Sequence, residues 1–455
     1  MKIDYRRNYS VPVVSSSALT NNMQTKPKCN IIAYQLPAGV RIGGKKMGKT
    51  PQQLYEERVK RVEDAIQLKK PDRVPIALSL GYFPAKYAGI SCADAFYNPI
   101  KWNEASKKTV IDFEPDSYIA LGPDCGPALE ALGYKQMVWP GHGTSPNHTH
   151  QFVEGEYMKA DEYDAFLEDL TGFILNSYLP RICGQLGALQ RLPNLSMLLF
   201  SPTMLLGMPG FEEAIDSLLK ARRELLKRNA ETGSLGEELK ELGFPVFTQS
   251  ATFTPFDVIS DRLRGMRGSM MDMFRQPDNL LRASEKMLPV MLGLAIATAK
   301  MGGNPRVFIP LHRGADGFMS LKQFETFYWP TLKGLLLGLI EAGLTPCPFF
   351  EGDYNSRLKY LLELPKGKVL GYFDTSDIKK VKEILGNHLC IMGNVPPSLL
   401  QTGSRQDVAE YCKKLIDVAG KGGGFIMAPR SAIDEVKPEN LKMMISATRE
   451  YGVYK

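Results

Sequence analysis

Arg306-Val307-Phe308-Ile309-Pro310-Leu311 is an apolar run of strand length, and four more follow it: Thr345 to Phe350, Lys368-Val369-Leu370-Gly371-Tyr372-Phe373, Leu389 to Met392, and Gly424-Phe425-Ile426-Met427-Ala428. A helical stretch, Leu321 to Ala342, lies between the first two runs, and Ser356 to Leu364 makes a short helix before the third. Strand-length runs alternating with helices are the signature of βαβ units and a parallel sheet. Seven or eight such strands close a barrel, so the rhythm predicts an α/β fold of the (β/α)8 TIM-barrel class. In that architecture chemistry belongs where strands end and βα loops begin.

Upstream, Thr50-Pro51 forms a cap and first-turn pair for a helix marked by Leu54, Val59, Val62, Ala65 and Ile66. Asp72-Arg73 then leads into Val74-Pro75-Ile76-Ala77-Leu78-Ser79-Leu80, a short buried strand by length and flanks. Residues 1–50 are rich in Ser, Asn, Gly and Lys with little hydrophobic periodicity, and are expected to form an extended N-terminal arm. Residues 51–455 are expected to form one barrel domain, carrying an irregular, partly helical insertion at about 127–240. The insertion opens on the Gly/Pro-rich Trp139-Pro140-Gly141-His142-Gly143 and is the expected lid or wall of a cleft.

Composition narrows the function classes. The 455 residues are 44% hydrophobic and 23% charged, enough to bury a large core. The net charge of +7 is diffuse. Basic runs such as Lys69-Lys70 and Lys379-Lys380 are short and lack interleaved aromatics, which argues against nucleic acid as a partner. The longest apolar segment, Gly334 to Ile340, is too short to span a bilayer, so no membrane insertion is expected. Met1-Lys2-Ile3-Asp4-Tyr5-Arg6-Arg7 runs into a polar stretch with no apolar core, unlike a signal peptide, and a cytoplasmic location is the expectation. Seven scattered cysteines without a CxxC pair fit reduced thiols in that compartment.

Polar residues gather at the strand ends: His312 and Arg313 after one strand, Glu351 and Asp353 after the next, Asp374 and Asp377 after the third, Asn394 after the fourth and Arg430 after the last. A parallel barrel brings such positions to one mouth. His312, Glu351 and Asp374 are the candidate catalytic trio, and one histidine with two carboxylates is also a candidate ligand set for zinc or another divalent ion that polarises an ether or alcohol oxygen. Without metal, Arg313 or protonated His312 takes the same electrophilic part. Asp353, Asn394 and Arg430 are expected substrate contacts, joined by Tyr82 after the first strand, by Asp124, and by His142 between its two glycines. The competing reading is capping and salt-bridging around loop starts, strongest for Arg313 and Asp377; for His142 it is a plain turn.

Other features read as structural. His148-Thr149-His150 has metal-like spacing but sits in a polar turn beside Pro146, and is read as exposed loop. His388 precedes a strand and belongs to the opposite barrel end. Cys347 and Cys390, inside strands, behave as small hydrophobes. Gly422-Gly423-Gly424 lacks a following Lys-Ser/Thr and reverses the chain rather than cradling phosphate.

Ile391-Met392-Gly393-Asn394-Val395-Pro396-Pro397, a leucine pair and Gly403, then the triple glycine with Phe425-Ile426, then Pro438-Glu439-Asn440 opening a closing helix to Glu450-Tyr451-Gly452, form an ordered set of motifs. With Pro71-Asp72-Arg73-Val74-Pro75, Phe113-Glu114-Pro115-Asp116, Phe256-Asp257 through Arg264-Gly265, and Pro310-Leu311-His312, the chain from about residue 55 onward resembles the uroporphyrinogen decarboxylase superfamily. The resemblance implies that superfamily's barrel, and a homodimer is compatible with it. It does not fix the reaction, because the fold hosts decarboxylation and methyl transfer alike. The decarboxylases carry an Arg-rich segment after the first strand. Here Leu80 to Tyr87 holds one lysine and no arginine, so the bidentate clamp for a porphyrinogen's carboxylates is missing.

The resemblance therefore points to the corrinoid-dependent methyltransferase branch, which holds zinc with a His-x-Cys pair and a later Cys. Those positions correspond to Phe349, Glu351 and Ser431, and the thiolate zinc site is absent. The expected activity is transfer of a methyl group between a small methylated substrate, such as a methyl ether undergoing O-demethylation, and the cobalt of a corrinoid on a separate partner protein. Met266, Met270, Met271 and Met273 fill core or lid, or alternatively face the corrinoid ring. Two rival readings stand: a decarboxylase in which Asp116 or Asp124 stabilises a protonated intermediate, and a non-catalytic corrinoid or tetrapyrrole binder.

Overall fold

In the computed structural model the described residues are 48–455, apart from 121, 193–194 and 233–234. The expected arm over 1–50 falls almost wholly outside them. No helix among the described residues is long and apolar enough to cross a membrane.

Eight parallel strands form the body: β1 (Ala77–Ser79), β2 (Ser117–Ile119), β3 (Ser250–Ala251), β4 (Arg306–Leu311), β5 (Thr345–Phe350), β6 (Leu370–Phe373), β7 (Cys390–Val395) and β8 (Phe425–Pro429). β1 pairs with β2, and β3 through β8 pair in sequence order. Two short seams complete the ring. The Phe247 N–H donates to Tyr118 O at 2.8 Å between β2 and β3, and the Met427 N–H donates to Pro75 O at 2.9 Å between β8 and β1. The fold is thus the TIM barrel that the alternation predicts.

Side chains alternate across the wall with period two. Cys347, Phe349, Leu370, Tyr372, Cys390, Met392, Ile426 and Ala428 form one buried cluster, the lumen. Their sequence neighbours Phe350, Phe373, Ile391, Phe425 and Met427 belong to the larger cluster beneath the surrounding helices. The helix Pro51–Ile66 starts with the expected cap: Thr50 Oγ accepts the Gln53 N–H, and the Gln53 side chain accepts the Thr50 N–H. Its Val62, Ala65 and Ile66 join the lumen cluster and stopper the end where strands begin.

At that same end Asp116, 1% exposed, accepts from Arg61 at 2.6 Å, from Arg73 at 2.6 and 2.7 Å, and from the Ile76 N–H at 2.8 Å. Arg61 also grips Asp72. The Pro-Asp-Arg and Glu-Pro-Asp motifs are therefore a clasp on the base of the barrel. This corrects the rival role for Asp116, which lies opposite the strand ends where an intermediate would bind.

The predicted helix Leu321–Ala342 is interrupted. α-Helix over Leu321–Gln323 gives way to a π-helical turn at Phe324–Tyr328 before Trp329–Glu341. Pro330 cannot donate the backbone bond that would continue the α ladder, and the wider turn accommodates it. Gly422, Gly423 and Gly424 all have positive φ, and a Cβ on Gly423 would meet Lys69 O at 2.6 Å. The triplet is the tight reversal into β8.

Between β2 and β3 the connection carries a helix at Gly126–Leu132, a three-stranded sheet made of Met137–Pro140, Gly143–Thr144 and Gln151–Phe152, short helical turns, and the long helix Phe211–Thr232. Because it leaves β2 at the strand-end face, it starts beside the mouth of the barrel.

Candidate active site at the strand ends

The mouth is organised by two carboxylates four residues apart on the helix after β3. Asp257, 0% exposed, accepts the His312 N–H and the Arg313 N–H at 3.0 Å each and the Tyr328 hydroxyl at 2.7 Å. It pins the start of the loop after β4. Burial, with the nearby Asp261 charge, pushes its carboxyl up to about 6, and the neighbouring His312 and the donors oppose that rise.

Asp261 then orients the imidazole. Its Oδ2 lies 2.5 Å from His312 Nδ1, and its Oδ1 is 3.1 Å from Arg313 Nε and 3.0 Å from Arg313 Nη2. With Nδ1–H given to Asp261, His312 turns Nε2 toward Glu351, whose half-exposed carboxylate is 3.6 Å away. Burial lowers the His312 pKa, but the hydrogen bond to Asp261 and the charges of Asp257, Asp261 and Glu351 outweigh it and the net shift is upward. The arrangement favours the protonated ring, held by one carboxylate and facing another.

Asp374 does not complete a trio with these two. Its Oδ2 accepts the Gly352 N–H at 3.0 Å, and its Oδ1 lies 3.8 Å from Arg430 Nε. It ties the loops after β5, β6 and β8 together, and burial raises its pKa against the pull of Gly352 and Arg430. Asn394, 5% exposed, donates to the carbonyls of Asp374 and Ser376 at 3.0 and 3.3 Å while its Oδ1 is buried without a partner. It is a positioning residue for the loop after β6.

Three more expectations need correction. Arg313 is spent on Ser260 and Asp261, so it steadies Asp261 instead of serving as a free electrophile. Asp353 is exposed and accepts the Asn355 N–H at 2.8 Å, a turn-capping role. His142 stacks on Trp139 at 4.3 Å with Nδ1 3.5 Å from Glu130, two aromatic rings behind His150. Asp377 caps the helix Ile378–Leu385, as the bland reading has it.

His150, read from sequence as exposed loop, is half-buried. Its Nδ1 is hydrogen-bonded to the buried Tyr82 hydroxyl at 2.6 Å. Burial lowers its pKa although Asp434 and Asp124 pull the other way, which favours the neutral ring. Tyr82 is held from behind by its N–H on Asp434 at 2.8 Å, and Asp124 is exposed nearby. An aromatic wall joins the two histidines: Phe152 packs on His150 at 5.3 Å, Arg262 lies over Phe152 at 4.8 Å and Phe253 at 5.9 Å, and Phe253 meets His312 edge-on at 6.3 Å.

Sequence reasoning missed Asp257, Asp261, Tyr328, His150 and Arg262 as site residues. The signal for the first two was present: carboxylates at i and i+4 directly after a strand end share one helix face.

The donor set does not fit a thiolate zinc site. Phe349 lies in the lumen against Tyr372 at 4.6 Å, Ser431 brings a hydroxyl, and Glu351 is the sole carboxylate of the three. Cys347 is buried, and burial pushes its thiol up to about 12, so it supplies no thiolate. Among the described residues no three His, Cys, Asp or Glu side chains come together as a metal site, which corrects the expected His312, Glu351 and Asp374 ligand set.

Comparison with known proteins follows the same lines. Residues 235–451 match the family model "Uroporphyrinogen decarboxylase (URO-D)". A uroporphyrinogen decarboxylase of Syntrophotalea carbinolica is 22% identical over 174 residues, 38% of this chain. The chain spans about half the length of that curated relative, 49%. A methyltransferase from Methanosarcina mazei superposes with a TM-score of 0.57 at 18% identity, over 87% of this chain and 98% of its own. Residues 235–451 are thus similar to the uroporphyrinogen decarboxylase family, and the structural likeness shows a shared barrel fold over most of the chain.

Proposed function

We propose that this chain is a methyltransferase that moves a methyl group between a small methyl ether and the cobalt of a corrinoid borne by a partner protein. The observation that carries the reading is His312: its Nδ1 is held by Asp261 and its Nε2 faces Glu351 at the open end of the barrel.

Breaking an O–methyl bond leaves an alkoxide or phenoxide that needs a proton or an electrophile. His312 Nε2–H donates that proton. Asp261 keeps the ring in the productive tautomer and stabilises its charge, and Asp257 fixes the backbone from which the ring projects. Glu351, half-exposed on the other side of the gap, hands protons between solvent and His312. A corrinoid, when its carrier docks, supplies the nucleophile that takes the methyl group. Met266, Met270 and Met271 are each more than a third exposed and Phe274 is 75% exposed, all on the helix directly after Asp261, which gives a carrier an adaptable apolar surface. The solved barrel from Methanosarcina mazei, described as a methyltransferase, supports the same class.

The decarboxylase reading is left with exposed Asp124 as its acid and with Lys86 already paired to Glu435 where a carboxylate clamp is needed. Mixing the protein with a cobalt(I) corrinoid and a panel of methoxylated aromatics and methylamines tests the proposal by visible absorbance. The cobalt(I) bands disappear with a methyl ether if it holds. Flat absorbance with every donor, or carbon dioxide release from a carboxylate substrate, overturns it.

A further inference from the structure

The wall between the two histidines contains a cation with no counter-ion. Arg181, Arg264 and Arg313 each grip a carboxylate. Arg262 is half-buried, yet among the described residues no carboxylate sits within ion-pair reach of its guanidinium, and none of its side-chain N–H groups makes a hydrogen bond. What it has is aromatic cover: Phe152 at 4.8 Å and Phe253 at 5.9 Å. Stacking occupies the faces of a guanidinium and leaves its in-plane N–H fork free, the geometry that receives a carboxylate. Phe152 is itself 62% exposed, a bare ring at the edge of the small sheet with no core to serve.

Arg262 is one aromatic ring away from the proposed proton donor, since Phe253 touches both Arg262 and His312. We infer that the Arg262 fork, with Phe152 and Phe253, binds the carboxylate of a flat aromatic substrate whose other end presents its methoxy group to His312. The inference rests on the methyl-ether reading above and names its substrate class. One guanidinium suits a monoanion. Asp124 and Asp434, whose charges reach His150, make the cleft unfavourable for a polyanion.

Isothermal titration of the full chain with para-methoxybenzoate and with neutral para-methoxybenzamide, without corrinoid, tests binding apart from methyl transfer. The carboxylate is expected to bind the wild type roughly ten- to a hundredfold more tightly than the amide, as for a charge-assisted hydrogen-bonded pair. Arg262→Gln removes that preference, carboxylate binding falling toward that of the amide. Arg262→Lys, which keeps the charge and guards against a folding defect, retains only part of it. Equal binding of the two ligands to the wild type, binding of neither, or an unchanged preference in Arg262→Gln overturns the inference. Carboxylate-selective binding with no methyl transfer would sink the proposed function alone. Transfer from neutral and carboxylated ethers at equal rates would sink this inference alone.

Discussion

Asp261 Oδ2 lies 2.5 Å from His312 Nδ1, and this contact, together with the charges of Asp257, Asp261 and Glu351, outweighs the burial that lowers the imidazole pKa. Asp261→Asn removes the compensating charge and leaves the desolvation, so the His312 pKa falls below its wild-type value. The protonated form is then lost at lower pH on an upward titration, and the alkaline limb of the methyl-transfer rate moves to lower pH with it. Titration of the His312 ring signals by NMR in the two proteins checks this. An unchanged pKa would mean that Asp261 does not hold the charge.

Tyr328→Phe deletes one of three donors to the fully buried Asp257. A buried carboxylate deprived of a hydrogen bond costs about 1–3 kcal/mol. The urea midpoint is expected to drop accordingly, with the slope unchanged. No drop would contradict the assignment of Asp257 as the buried anchor of the loop after β4.

At the base of the barrel, Asp116→Ala leaves Arg61 and Arg73 without their shared partner. Loss of one member of a buried ion cluster costs about 3–5 kcal/mol. The variant is expected to melt earlier but to bind ligand at the mouth with wild-type affinity when folded. A selective loss of activity without loss of stability would instead restore the decarboxylase role for this residue.

The barrel was legible because its later strands are short, apolar and regularly spaced. Two of them, Arg306–Leu311 and Thr345–Phe350, form over the residues that the sequence marks. The site was legible only in part. His312 and Glu351 follow strands and meet as expected, but strand-end position says nothing about which neighbour a side chain chooses. Asp374 turns to backbone and Arg430, and Arg313 turns to Asp261, because nearer partners satisfy them first. His150 looked exposed because its turn is polar. Its burial comes from Tyr82, some seventy positions earlier in the chain, a contact that no local pattern reveals.

Because among the described residues no three His, Cys, Asp or Glu side chains come together as a metal site, catalysis is expected to be independent of tightly bound zinc. Dialysis against a strong chelator should leave the rate of methyl transfer unchanged, and metal analysis should find well under one zinc per chain. Activity lost on chelation and restored by stoichiometric zinc would require a ligand arrangement different from this one.

The most direct test of the account is a single-turnover comparison of wild type and His312→Asn, with a cobalt(I) corrinoid and a carboxylated aryl methyl ether, across neutral to alkaline pH. The account predicts that the wild type transfers the methyl group about 10²–10⁴ times faster, as general acid catalysis supplies, and that this advantage fades as pH rises through the His312 pKa. Equal rates in the two proteins, or a wild-type rate that climbs with pH, would contradict it.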